Sequence, residues 1–270
     1  MTSQRDNITR SFKIGGNLEV NRLGYGAMRL TGQPGNFGPY PQWDQGLTLL
    51  RRAHDLGVTF FDSAWAYGPE TADRIVGEAL GGRDAVIATK GGVDKPEPGR
   101  ILVDGSRGTL LRQIDKALIN LRRDRIDLFQ LHRVDPDTPI ETSVRALAEA
   151  QADGRIRHIG LSNVTRADLE RALSVAPIAS VQNRFNMAET SAQDLVEFTA
   201  EQGIAFIPYG PLGANPMQPG AKLDPKQALA WLLARSPNII VIPGTTSIVH
   251  LDDNWRAWDL VSTAKDGGAA

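Results

Sequence analysis

Four side chains of complementary chemistry stand at or just after the ends of short apolar runs. Asp62 closes "TFFD", Lys90 closes "AVIATK", His132 closes "DLFQLH", and Tyr67 follows Asp62 in "DSAWAYGPET". A phenol with its ordinary pKa near ~10 is a poor acid at neutral pH, but a neighbouring ammonium favours its phenolate and a histidine can hydrogen-bond and orient a substrate carbonyl. The Asp62 carboxylate is suited to keeping Lys90 charged where burial would otherwise strip its proton. Taken singly, each residue has a simpler role, as a helix cap, a solvated lysine or a structural histidine. Together they point to proton donation by a phenol.

These residues need a scaffold that brings distant strand ends together. Apolar runs at 22–28, 59–64, 85–90, 127–132, 156–162, 179–185, 204–210 and 239–244 read as strands. They alternate with amphipathic stretches near 44–56, 71–80, 107–121, 141–153, 166–174, 191–202, 225–235 and 248–260. Thr142 or Asp44 is a suitable N-cap, and Gly57, Gly154 and Gly203 fit helix ends. Eight strand–helix units predict an α/β fold, a closed (β/α)8 TIM barrel, occupying residues 1–270 as one domain. Ahead of them "SFKIGGNLEVN" predicts a β-hairpin turning at Gly15–Gly16–Asn17 and capping the barrel bottom. In such a barrel the C-terminal strand ends converge, which collects Asp62, Lys90, His132, Ser162, Asn163, Gln182 and Tyr209 on one rim.

Composition narrows the partners. The 270 residues carry a net charge of −1 with no Lys/Arg-rich block, which argues against nucleic acid. The chain has no cysteine, which removes disulfides, thiolate nucleophiles and Cys-ligated zinc. Its histidines, 54, 132, 158 and 250, lack metal-ligand spacing, so no metal site is expected. Residues 1–18 lack the apolar core of a signal peptide, and no run approaches the ~20 apolar residues of a membrane span. The expectation is a cytoplasmic protein, monomeric or weakly self-associating, with no membrane partner.

The stretch "GVTFFDSAWAYGPETADRIVGEAL" resembles the first signature of the aldo-keto reductases, and "LRRDRIDLFQLHRVD", "GRIRHIGLSNV", "VQNRFN", "IPYGPLG" and "VIPGTTSIVHLDDN" follow in that family's order. The resemblance covers almost the whole chain. It implies an oxidoreductase that uses NADPH/NADP, with NADH as the alternative, to reduce an aldehyde or ketone to an alcohol. Asp62, Tyr67, Lys90 and His132 match the catalytic tetrad, with Tyr67 as general acid. No G-x-G-x-x-G is present, since "GYGAMR" has only the first two glycines, so a Rossmann site is not supported. By motif match the dinucleotide lies on the barrel rim. Gly26, Met28 and Asp62 line its path; Ser162, Asn163 and Gln182 hold the carboxamide; Tyr209 stacks on the nicotinamide, with Gly210, Pro211 and Leu212 following. Gly244, Thr245, Thr246, Ser247, His250, Asp253 and Asn254 match positions that hold the adenosine end.

Two departures stand out. Many relatives have Lys where this chain has Gly244 and Arg where it has His250, both contacting the 2′-phosphate of NADPH. Hydroxyls at 245–247 and His250 are left for that task. The chain is also short between the seventh strand and the seventh helix and ends soon after the eighth helix, which implies an open pocket. "VNRLGYGAMRLTG", "IRHIGLSNVT" and "ALAWLLARSPNIIVIPGTTS" resemble a bacterial branch that includes pyridoxal reductases, implying pyridoxal or another aromatic aldehyde as substrate. Trp65, Phe37, Tyr40 and Trp43 are candidates to cover a flat ring, and Arg133 to meet an acidic substituent. Two alternatives stay open on sequence: a cofactor-binding regulatory subunit with little turnover, and a Schiff-base aldolase using Lys90.

Overall fold

Period-two alternation sorts the strand residues onto the two faces of one curled sheet. The computed structural model describes residues 8–211 and 224–261; Leu212 and the tail at 265–270 lie outside the described residues. The strands are β1 (Ser11–Ile14), β2 (Leu18–Asn21), β3 (Tyr25–Gly26), β4 (Phe60–Asp62), β5 (Val86–Gly91), β6 (Val93–Glu97), β7 (Arg100–Val103), β8 (Ile126–Leu131), β9 (Ile156–Ser162), β10 (Ser180–Gln182) and β11 (Ala205–Phe206). The helices are α1 (Trp43–Asp55), α2 (Thr71–Leu80), α3 (Arg107–Leu121), α4 (Ile140–Ala152), α5 (Arg166–Leu173), α6 (Gln193–Glu201), α7 (Pro225–Arg235) and α8 (Ile248–Trp255).

Seven parallel strands run in the order β11-β10-β9-β8-β5-β4-β3. The eighth expected strand is reduced to two bridges, Ile239 to Phe206 and Val241 to Leu23, which join the two sheet edges. Ile240 N donates to Phe206 O at 2.9 Å and Gly24 N donates to Val241 O at 2.8 Å, so successive residues of this segment pair with opposite neighbours and close the barrel. Pro243 has no N–H to extend the ladder, and Gly26 lies so near that a Cβ on it would stand 2.7 Å from Ile242 O.

The floor is plugged as expected. Gly15 (φ 57°) and Gly16 (φ 77°) turn the β1–β2 hairpin in the left-handed region. Its Ile14, Leu18 and Val20 cluster with Phe60, Ala88, Leu128, Ile207 and Ile240 inside the barrel, while Phe61, Ile87, Phe129, Ile159 and Val181 pack outward beneath the helices.

Several local expectations need correction. Asp44 and Thr142 sit inside the first turns of α1 and α4, whose N-caps, Gln42 and Pro139, make no side-chain cap bond. Gly57, Gly154 and Gly203 do turn the chain after α1, α4 and α6, all at positive φ. The expected last helix breaks after Trp255 into a 3-10 turn, Arg256–Leu260. A second antiparallel hairpin, β6–β7, follows the lysine strand, in a stretch between the expected strand at 85–90 and the expected helix at 107–121. No helix of the described residues is long and apolar enough to cross a membrane.

The closing seam depends on one fully buried arginine. Arg22 donates to the carbonyls of Thr9, Ile239, Leu233 and Ser236, and thereby caps the C-terminal end of α7 with a side chain. Burial pulls its pKa down to about 10, which leaves it charged at neutral pH. An Arg22→Met variant keeps the stem and loses every donor, so urea unfolding should show a loss of about 3 kcal/mol or more, as expected for stranded buried carbonyls. A loss below about 1 kcal/mol would show that the seam holds without the guanidinium.

Candidate active site

The inward positions at the top of five strands are polar. On β4, Phe60 faces the barrel interior, Phe61 the helices, and Asp62 again the interior; on β5 the same alternation puts Ala88 and Lys90 inside and Thr89 outside. Lys90 is paired in register with Gln130 of β8, and Gln182 of β10 with Ser162 of β9. The barrel thus gathers Asp62, Lys90, Gln130, Gln182 and Ser162 at one level, all at most 2% exposed.

Asp62 is the hub. Its Oδ2 accepts from Lys90 Nζ at 2.7 Å, and its Oδ1 accepts from Gln182 Nε2 at 2.9 Å and Gln130 Nε2 at 3.2 Å. Lys90 Nζ also donates to Ser63 O at 2.8 Å and stands 3.5 Å from Tyr67 Oη. Gln130 was not singled out in the sequence, where it reads as one polar residue inside an apolar strand. Room for it comes from Gly160, where a Cβ would stand 2.8 Å from Gln130 Cγ.

Desolvation alone would pull the Lys90 pKa down, but Asp62 and Tyr67 outweigh it and leave the ammonium held above its ordinary value. Tyr67 moves the other way from the sequence expectation. Burial raises its phenol more than Lys90 lowers it, so the resting group is the neutral acid. His132 lies edge-on to Tyr67, ring centroids 5.8 Å apart. Burial, then the charges of Lys90 and Arg133, hold its pKa well below the ordinary value, and its Nδ1 is enclosed without a partner. The site therefore combines a neutral phenol, a neutral imidazole and a fixed ammonium.

The expected carboxamide ligands lie beside this cluster. Asn163, at φ 56°, donates to His132 O and Ser162 Oγ, both at 3.0 Å, and accepts from Tyr209 Oη at 2.7 Å. Gln182 points its amide N–H at Asp62, so it is tied to that hub as well as lying next to Ser162. The Arg184 guanidinium lies 5.3 Å from the Tyr209 ring centroid, and Gly210 O accepts from Asn186 Nδ2. Pro211 follows Gly210 as the last described residue before 212.

The far end of the rim is built around α8. Ser247 caps the helix by accepting from His250 N at 3.4 Å, and Thr245 Oγ1 accepts from Ser247 N at 3.1 Å. Thr246 and His250 are exposed, Asp253 pairs with Arg256 at 3.5 Å, and Asn254 is buried. An open groove of about 400 Å³ runs between α1 and α8, lined by Thr246, Ser247, Val249, Asp44 and Thr48. Gly244 permits close approach of β3, since a Cβ there would stand 2.7 Å from Gly26 O. Met28 is exposed beside this path. A dinucleotide fits this donor set: amides and a hydroxyl complement a carboxamide at one end, and hydroxyls at a helix start suit phosphate at the other.

The mouth is assembled from three segments. Phe37 bridges to Gly68, Trp65 Nε1 donates to Asp94 on β6 at 3.3 Å, and Lys95 Nζ donates to Asn36 O at 3.2 Å. Tyr40, expected in the pocket, belongs to the core instead, packed against Gly46 of α1 and 8% exposed. Trp43 is likewise taken up at the side of α1, donating to Glu78. Arg133 is exposed next to His132.

Residues 22–227 match the Aldo/keto reductase family. The chain belongs to this family of enzymes, which carry out NAD(P)H-dependent carbonyl reduction. It is 40% identical over 260 residues to the pyridoxine 4-dehydrogenase of Escherichia coli K12, covering 90% of this chain and 91% of that protein. Among solved structures, the thermostable aldo-keto reductase Tm1743 in complex with the inhibitor epalrestat superposes with a TM-score of 0.80 at 28% identity, over 93% of this chain and 94% of that one. An aldo-keto reductase from Klebsiella pneumoniae in complex with NADPH gives 0.78 at 25% identity, over 94% and 91%.

Two expectations test the geometry. Gln130→Leu removes one of three donors to Asp62 and should lower kcat for aldehyde reduction about tenfold at unchanged dinucleotide affinity, the scale of one lost charge-assisted bond. Wild-type kcat in this variant would make Gln130 mere filling. Nitrogen-resolved NMR near pH ~6 should show His132 as a neutral imidazole, where an unperturbed histidine would be mostly protonated. An imidazolium signal would contradict the site as described.

Proposed function

We propose that this chain reduces aldehydes with NADPH, that Tyr67 donates the proton, and that aromatic aldehydes of the pyridoxal type are its substrates. The observation that carries the reading is the buried ammonium of Lys90, fixed by Asp62 and Ser63 O and 3.5 Å from the Tyr67 hydroxyl. When bound, the reduced nicotinamide supplies the hydride for the carbonyl carbon. The chain's own residues supply the rest.

Tyr67 holds its proton at rest because burial disfavours the phenolate. As negative charge builds on the carbonyl oxygen, Tyr67 Oη passes its proton there, and the charge left on the phenolate faces Lys90 Nζ. Asp62 keeps that lysine charged and in place. His132, neutral, offers one ring N–H to the same carbonyl oxygen and fixes which side of the carbonyl faces Tyr67. Ser162, Asn163 and Gln182 are assigned to the carboxamide and Tyr209 to the ring. Thr245, Thr246, Ser247, His250, Asp253 and Asn254 are assigned to the phosphate and adenosine, with Gly26, Met28, Gly210, Pro211 and Gly244 lining the path.

The substrate class is supported by the E. coli relative. A dehydrogenase of pyridoxine at its 4-alcohol forms an aldehyde, and reduction of that aldehyde is the same reaction reversed. Trp65 and Phe37 give the mouth aromatic surface for a flat ring, and the exposed Arg133 gives it a cation.

Purified protein should consume NADPH in the presence of pyridoxal, and Tyr67→Phe should lower kcat about a thousandfold, the scale of a lost general acid. Fluorescence titration should show NADPH still binding to that variant. Full turnover in Tyr67→Phe would remove the proton-donor assignment, and benzaldehyde reduced faster than pyridoxal would remove the substrate assignment.

A further inference from the structure

Behind the catalytic level lies a buried carboxyl that the mechanism above does not use. Asp73, in the first turn of α2, is fully buried. Its Oδ1 accepts from the Thr89 hydroxyl at 2.8 Å, while its Oδ2 has no hydrogen-bond partner within the structure. Thr89 precedes Lys90 and points outward from β5 because Lys90 points inward. The Ser63 hydroxyl, next to Asp62, bears on the same carboxyl electrostatically and, like Asp73 Oδ2, is buried without a hydrogen-bond partner. The two residues that approach Asp73 are thus the chain neighbours of the two members of the buried ion pair, and the Ser63 carbonyl is itself a ligand of Lys90 Nζ.

We propose that Asp73 is a positioning residue for the proton donor, a second carboxylate one layer behind Asp62 that holds the end of β5 through Thr89, stands beside Ser63 at the end of β4, and adds its charge to the field that keeps Lys90 protonated. The proposal rests on the carbonyl-reductase reading given above. Asp73 makes no salt bridge of its own, so nothing in direct contact offsets the cost of burying it ionised. Burial accordingly pushes its pKa up to about 6, against the Ser63 and Thr89 hydroxyls and the charge of Lys90, which pull it down. Glu70, in the turn ahead of α2, adds to the upward push. On α1 and α3, which flank α2, every Asp, Lys and Arg is exposed and His54 is half-buried, so Lys90, on the other side of the β5 wall, is the buried cation whose charge Asp73 feels. A charge with this cost is a poor stabiliser, and its value lies in what it does to Lys90 and Tyr67.

The sign follows from linkage. Because the folded-state pKa is raised from 3.8 to about 6, ionised Asp73 costs stability above pH 6, and the cost fades as pH falls toward 4. Asp73→Asn keeps the shape and an oxygen for Thr89 while deleting the charge. Thermal unfolding should therefore find this variant more stable than wild type near pH ~8, with the difference shrinking toward pH ~4. With the Asp73 charge gone, Lys90 and Tyr67 both hold their protons less tightly. The alkaline limb of kcat for aldehyde reduction should move to lower pH by about one unit, a tenfold loss on that limb.

NADPH affinity, read by fluorescence, should stay within about twofold, since Asp73 lies outside the barrel wall from the rim. Thr89→Val keeps the charge but cuts the tether, and should lower kcat without moving the limb. A superimposable pH profile in Asp73→Asn, or a variant less stable than wild type at both pH values, would overturn the proposal and leave Asp73 a packing residue. The stability comparison needs no turnover. A wild type that binds NADPH but reduces no aldehyde would refute the reductase reading while the stability result still decided whether Asp73 is a charge held at a cost.

Discussion

Everything at the polar end of this barrel depends on keeping one ammonium charged in its middle. Lys90 and Asp62 lie together almost wholly out of water, and an ion pair so placed is at best balanced between Coulomb attraction and lost hydration. The surplus comes from neutral groups. Ser63 O takes a second lysine N–H, and the amides of Gln130 and Gln182 fill the carboxylate oxygen that the lysine leaves open. These donors and acceptors come from β4, β8 and β10, so the pair is satisfied only when the sheet is curled enough to bring those strands face to face. Fold and site are in this sense one constraint.

The same burial divides the titratable groups by role. Low polarity around Tyr67 keeps its proton on, low polarity around His132 keeps its proton off, and Lys90, with a carboxylate in contact, keeps its charge. A cluster in which environment drives neighbouring groups to different protonation states is poised for directed proton transfer. A site of the same residues open to water would have none of this separation.

How much of this could be read from the chain follows from periodicity. Asp62, Lys90 and His132 were legible because each ends an apolar run, where a polar residue is conspicuous, and barrel geometry then brings the ends together. Gln130 was hidden for the opposite reason: it sits within its run, two residues before His132, and only the inward register of β8 shows that it shares the site. Arg22 looked like an ordinary charged residue opening a strand, since its four acceptors lie as far away in sequence as Ile239. Hairpin β6–β7 was obscured by Pro96 and Pro98, which weaken a strand signal although the edge of a small ribbon tolerates them. Tyr40 was read as a pocket wall because an aromatic in a polar loop suggests contact with a ligand, whereas Gly46 opens a socket for it in the core.

Arg22 also constrains the order in which the chain can become native. Its acceptors at Leu233, Ser236 and Ile239 lie more than 200 positions downstream, with separations of 211, 214 and 217 residues. Until that distant segment exists and has docked, the sheet is an open arc whose edges at β3 and β11 are unpaired, with a guanidinium waiting at one of them. Such edges invite pairing with other chains. During synthesis, which proceeds from the N-terminus, Arg22 and the edge strand β3 are made long before the segment that pairs with them, and closure of the barrel is what covers that edge.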